Sequence, residues 1–218
     1  MTQSGRDLLD RIKTVAKDLD GLSKWQSSGS SFGHLHGKER DDYIFEFYCY
    51  VKILSDLKKN YIVKLVPGTA GGIFPKAPAK KDEGWSHFNL FEDNIHKFQV
   101  CCGTDIAVSS VIEVAYHPDI SFQVHDSPDN PNETHVLLIM DAKYSKNKSR
   151  LTQSTITEFF GILHELALVG KSFPPIRFDK FESIITANAL LTNGTKSSIH
   201  EKRCNKNGAV QVERFDAL

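Results

Sequence analysis

The sequence contains no apolar run approaching the roughly 20 residues needed to cross a bilayer. Its N-terminus lacks the basic-then-apolar pattern of a secretion signal, so a cytoplasmic protein is expected. Net charge is also missing, since 27 lysines and arginines balance 27 aspartates and glutamates. The whole molecule therefore exerts no general pull on nucleic acid, although a local basic face remains compatible with that sum. Cysteine is sparse. Cys49, Cys101, Cys102 and Cys204 form no C-x-x-C pair, which excludes a zinc ribbon and a thioredoxin-type motif. They read as free buried thiols in a reducing compartment.

Several catalytic signatures are absent as well. Gly68-Thr-Ala-Gly-Gly72 is not followed by Gly-Lys-Ser/Thr, so it is no nucleotide loop. His164-Glu165 lacks the second histidine of a zinc protease. His34-Leu-His36 has no third ligand nearby, and no Gly-x-Ser-x-Gly elbow occurs.

What is present suits a folded α/β protein. The chain has 218 residues, 40% apolar and 25% charged, enough for one full core. Apolar spacing predicts helices over Asp7–Leu22, Lys38–Lys59 and Leu151–Val169. Strands are expected over Tyr61–Val66, Phe98–Val108, Val111–Ala115, Ile120–Val124, Val136–Tyr144 and Phe181–Leu191, with a last edge strand over Val210–Phe215. Ser27–Gly37 and Gly68–Gly84 read as loops, the second a solvated loop or a basic flap, and Lys196–Lys206 as a polar basic tail. No element is assigned to Trp85–Asn94. The turn-forming cluster Ser127–Asn132 makes Ile120–Val124 and Val136–Tyr144 a hairpin. This order gives a mixed sheet with helices on its faces. Residues 1–37 form an N-terminal extension and 38–218 the main domain.

The chemistry centres on Val136-Leu-Leu-Ile-Met-Asp-Ala-Lys-Tyr144. In a strand, residues i and i+2 share a face, so Asp141 and Lys143 project together from the end of an apolar strand. Charges there are costly unless paired, hydrated or bound to a metal. Pairing the hairpin antiparallel brings Asp119 beside Asp141. Two adjacent carboxylates repel unless one is protonated or a cation lies between them. Oxygen donors of this kind suit Mg2+, with Mn2+ as substitute. Lys143 would then orient, and help deprotonate, the water that attacks a phosphodiester. Glu46, inside Tyr43–Tyr50, is either a third acid for this site or a solvent-facing residue of the helix. Asp105, in Gly103-Thr104-Asp105, competes with Asp119 for the ligand role; the direct hairpin favours Asp119.

Pro118-Asp119, a gap of about twenty residues and then Asp141-Ala142-Lys143 resembles the signature of the PD-(D/E)XK nuclease superfamily. The stretch Phe45–Leu54 is similar to the helix that supplies an additional glutamate in many members. It also resembles nuclease subunits of modification-dependent restriction systems. The likeness runs in element order from Lys38 to Leu191 and is sharp only at the motifs. It implies a restriction-endonuclease-like core in αβββαβ order. It further implies a magnesium-dependent DNA endonuclease acting in restriction or phage defence, with Asp119, Asp141 and Glu46 as metal-binding acids and Lys143 as the catalytic lysine. Lys146, Lys148 and Arg150, with Gln153 on the first turn of the next helix, are expected to meet the phosphate backbone. Each is equally well read as part of a solvated surface. Lys196, Lys202, Arg203 and Lys206 are candidates for a second phosphate contact. A near-neutral chain of this type is expected to rely on a dimer or a partner subunit. Two competing readings are a catalytically silent nucleic-acid-binding or scaffolding module on the same fold, and a structural salt bridge in an unrelated protein.

Overall fold

The computed structural model describes residues 2–16, 19, 41–66, 86–108, 114–172 and 174–218. The loops expected over Ser27–Gly37 and Gly68–Gly84 lie outside the described residues, as do His34, His36 and most of the Val111–Ala115 strand. In chain order the elements are α1 (Gln3–Ala16), α2 (Asp41–Leu57), β1 (Ile62–Val66), β2 (His87–Glu92), β3 (Ile95–Cys102), β4 (Ile106–Ala107) and β5 (Ala115–Tyr116). They continue with β6 (Ile120–Val124), β7 (Val136–Lys143), α3 (Gln153–Glu165), β8 (Asn188–Thr192), α4 (Ser198–Lys206) and β9 (Ala209–Val212).

Seven strands form one sheet in the order β1-β2-β3-β6-β7-β8-β9, while β4 and β5 pair as a separate ribbon. The first five strands of the sheet run antiparallel to their neighbours. β7 to β8 and β8 to β9 are parallel, because α3 and α4 return the chain to the starting edge between them. The sheet is therefore mixed, as expected, and β7 lies where the antiparallel part meets the parallel part.

β7 is apolar almost throughout because both of its faces are covered. Leu138, Met140 and Ala142 pack with α2 and with Leu8, Leu9 and Ile12 of α1 in the larger core. Ile139 turns the other way, to Phe159, Leu163 and Cys204 beneath α3 and α4. Burial of each such large side chain is worth about 1.5–3 kcal/mol. Asp141 and Lys143 continue the Ile139 face, so they emerge on the α3 side.

Four expectations change. Phe98–Val108 is not one strand: β3 stops at Cys102, and Gly103, at φ 56°, turns the chain before β4 begins. Only the end of Phe181–Leu191 is extended. Phe181 and Ile185 are buried within turns instead, with Asp56 accepting the N–H groups of Asp179 (2.7 Å) and Lys180 (2.8 Å) just upstream. The basic tail folds as α4. Residues 87–92, unassigned from sequence, form β2, joined to β3 by Asp93 and Asn94 at φ 51° and 62°, the conformation of a two-residue hairpin turn.

Candidate functional site

The β6–β7 register decides which acid meets Asp141. Ile120 pairs with Met140, so the residue before β6, Asp119, falls beside Asp141 at the end of the hairpin. Its Oδ2 accepts the Ala142 N–H at 2.7 Å, and its own carbonyl accepts the Gly103 N–H at 3.1 Å. The residue is thus held on both sides, its carboxyl by β7 and its backbone by the turn after β3. Asp141 is buried, and its Oδ2 lies 2.6 Å from Lys143 Nζ.

The electrostatics follow from this crowding. Burial, then the charges of Asp141 and Glu46, push Asp119 well above the usual carboxylate range, against a smaller opposing pull from Lys143. Asp119 therefore keeps its proton where an ordinary aspartate has lost it, and it shares a hydrogen bond with Asp141. Burial works to lower Lys143, but Asp141, Asp119 and Glu46 together outweigh it and raise its pKa. The lysine is an ammonium at neutral pH.

Glu46 sits half-buried on α2, and its charge contributes to raising Asp119, Lys143, Tyr43 and Cys102. Nearby, Phe45 packs against Tyr144, with ring centroids 5.9 Å apart.

Asp119, Asp141 and Lys143 line a cleft of about 260 Å³ between the β5 segment and α3. Tyr116 and His117 form one wall, and Thr155, Glu158, Phe159 and Ile162 the other. Thr152 starts α3 by accepting the Thr155 N–H at 3.2 Å. Thr155, Glu158 and Ile162 then recur at helical spacing on the cleft side. Sequence reasoning missed Tyr116, His117, Thr155 and Glu158; only the spacing along α3 hinted at the last two. Gln153 does not line the cleft, and its side chain donates to Thr157 Oγ1 at 3.3 Å. Asp105 sits on the β4 side, 2.7 Å from His117 Nδ1. It stands behind a cleft residue, and Asp119 is the acid brought next to Asp141.

Lys146, Lys148 and Arg150 are exposed on the loop after β7. That loop is fastened rather than free. Asn193 accepts the Ser145 N–H at 2.7 Å and donates to the Ser145 carbonyl at 2.9 Å. Gly194 packs so close that a β-carbon there would overlap the Ser149 carbonyl oxygen. Lys148 is 3.4 Å from Asp216 Oδ2. In the tail, Lys196 pairs with Glu201 at 2.6 Å and Arg203 lies over the Phe160 ring at 5.3 Å, while Lys202 and Lys206 are exposed.

Among the described residues, no three His, Cys, Asp or Glu side chains converge as a ready-made metal cage. Besides the hydrogen bond they share, each of the two aspartates has an oxygen engaged outside the pair, by Ala142 N–H or by Lys143. The donor set nonetheless fits a hard divalent ion, because both donors are carboxylates whose burial and mutual repulsion a cation would offset. Among the described residues, no helix is long and apolar enough to cross a membrane. No family model matches the chain, and neither a curated protein nor a solved structure matches it.

Proposed function

We propose that this chain is a magnesium-dependent endonuclease of the PD-(D/E)XK type, hydrolysing DNA phosphodiester bonds. The observation that carries the reading is the meeting of Asp119, Asp141 and Lys143 in one cleft, where burial and then the neighbouring acids raise the pKa of Asp119. A divalent cation relieves that repulsion. When bound, it would polarise a phosphoryl oxygen and lower the pKa of the attacking water. Asp119 and Asp141 are the residues to hold it, with Glu46 adding negative charge from α2. Manganese is the expected substitute.

Lys143 carries its proton. Its role is therefore to orient the water and offset charge on the phosphate, not to remove a proton. Lys146, Lys148 and Arg150 extend from the same strand end and suit contacts to flanking phosphates. Because net charge is zero, DNA affinity would come from this local patch together with a second copy or a partner subunit. The resemblance suggests restriction or antiviral defence as the setting.

The 2.6 Å Asp141–Lys143 pair favours one rival, a silent domain in which the pair is only structural. Incubation with supercoiled plasmid, single-stranded DNA and RNA in Mg2+, Mn2+ or EDTA separates the two. The proposal expects metal-dependent cutting of DNA that Asp119→Ala abolishes and Asp105→Ala largely spares. Absence of cutting with either metal favours the silent domain, and the reverse order of the two variants overturns the choice of Asp119.

A further inference from the structure

A second, larger cavity of about 480 Å³ opens where α1, α2 and the 179–181 turn meet, and it shares no lining residue with the cleft. Arg11, Lys52, Lys59 and Lys180 line it, with Tyr48 and Phe181 among its apolar walls. Lys52 is the inner cation. It donates to Tyr48 Oη at 3.0 Å and to the Phe215 carbonyl at 2.8 Å, and lies 5.1 Å from each of those two ring centroids and 5.9 Å from that of Phe181. Among the described residues, no carboxylate comes within ion-pair distance of any of these four cations.

Three acids, Asp10, Asp56 and Asp179, line the cavity as well, the last exposed on the turn beside Lys180. Asp10 pairs with Lys13 at 3.0 Å. Asp56 is occupied by the N–H groups of Asp179 and Lys180. Burial, reinforced by Arg11 and Lys180 and opposed by Cys49 and Asp216, brings the Lys52 pKa down to about 8. A half-buried ammonium held by a hydroxyl, a carbonyl and ring faces is poorly compensated, and a bound anion would relieve it. The cavity volume falls within the range of small-molecule sites.

We propose that this cavity binds a phosphomonoester of nucleotide size, its phosphate on Lys52, Arg11 and Lys180 and its apolar part against Tyr48 and Phe181. The proposal goes beyond the nuclease reading and does not depend on it. The phosphate could belong to a free nucleotide or to the 5′ end of a strand, and the two sources are separable.

The test is isothermal titration of the metal-free full chain with AMP, adenosine, and a short oligonucleotide carrying either a 5′-phosphate or a 5′-hydroxyl. AMP should bind and adenosine should not. Loss of a charge-assisted contact is expected to weaken binding about tenfold or more in Lys52→Met, and less in the exposed Lys180→Ala. Lys143→Ala, in the other cavity, should bind normally. At pH 8 the phosphate should draw a proton onto Lys52, seen as a buffer-dependent binding heat that disappears at pH 6 and in Lys52→Met. Arg11, Lys180, Tyr48, Cys49 and Asp216 are the charged or titratable groups facing that lysine. Binding of the 5′-phosphorylated strand but not of AMP would keep the site and assign it to strand ends. The proposal is overturned by no heat with any probe at millimolar concentration. Binding unchanged in both Lys180→Ala and a folded Lys52→Met, or binding lost in Lys143→Ala, overturns it equally.

Discussion

Asp119→Asn should stabilise the metal-free protein at neutral pH and not at pH 5. Asparagine keeps the shape of the side chain and an oxygen for the Ala142 N–H, but it carries no charge beside Asp141 and Glu46. The folded chain holds the Asp119 proton more tightly than the unfolded chain, in which an aspartate titrates near 3.8. The stability this group contributes is therefore complete below that value and is lost as pH rises toward its folded pKa. The loss is at most about 1.4 kcal/mol per pH unit. From pH 5 to 7 the wild type can thus lose up to about 3 kcal/mol that the variant keeps. In a chain of this size that corresponds to a divergence in Tm on the order of 5–10 °C. Thermal melts of both proteins in EDTA across that range measure the difference directly, and common pH effects cancel. Added Mg2+ should raise the Tm of the wild type and leave the variant unchanged. A constant gap between pH 5 and 7, or one that shifts in favour of the wild type, refutes a raised Asp119 pKa from burial and neighbouring charge.

Two further substitutions test how the site is framed. Gly194→Ala drives a β-carbon into the Ser149 carbonyl and should cost about 1–3 kcal/mol, with faster proteolysis of the 145–150 loop as the local readout. Asp56→Ala strips the N–H groups of Asp179 and Lys180 of their acceptor. It should destabilise by about 1–3 kcal/mol in a urea titration while leaving cleavage chemistry untouched.

The hairpin of β6 and β7 was legible in the sequence because its signals are local. The run Val136–Met140 is apolar on both faces, the Ser127–Asn132 cluster marks the reversal, and the register then carries Asp119 to Asp141 without further information. Other parts were not legible, for physical reasons. α4 buries only Cys204 among its residues, so it shows no apolar stripe. The β2–β3 turn uses Asp93 and Asn94 in the left-handed region without glycine. The apolar residues Phe181 and Ile185 are held by a cap from Asp56, more than a hundred residues earlier. The cleft walls depend on packing between distant elements, since His117 meets Asp105 through the β4–β5 ribbon and Glu158 joins the cleft only once α3 has docked. Glu46 was ambiguous in its aromatic helix; it is half-buried there and its charge is felt at Asp119 and Lys143.

The central claim is that Asp119, Asp141 and Lys143 form a phosphodiesterase site. Nicking of supercoiled plasmid in Mg2+ by the wild type and by Lys143→Ala, with matched circular dichroism, tests it most directly. Metal-dependent cutting by the wild type and a loss of about a hundredfold or more in the variant are expected. Equal cutting by both proteins, or none by the wild type in either Mg2+ or Mn2+, would contradict it.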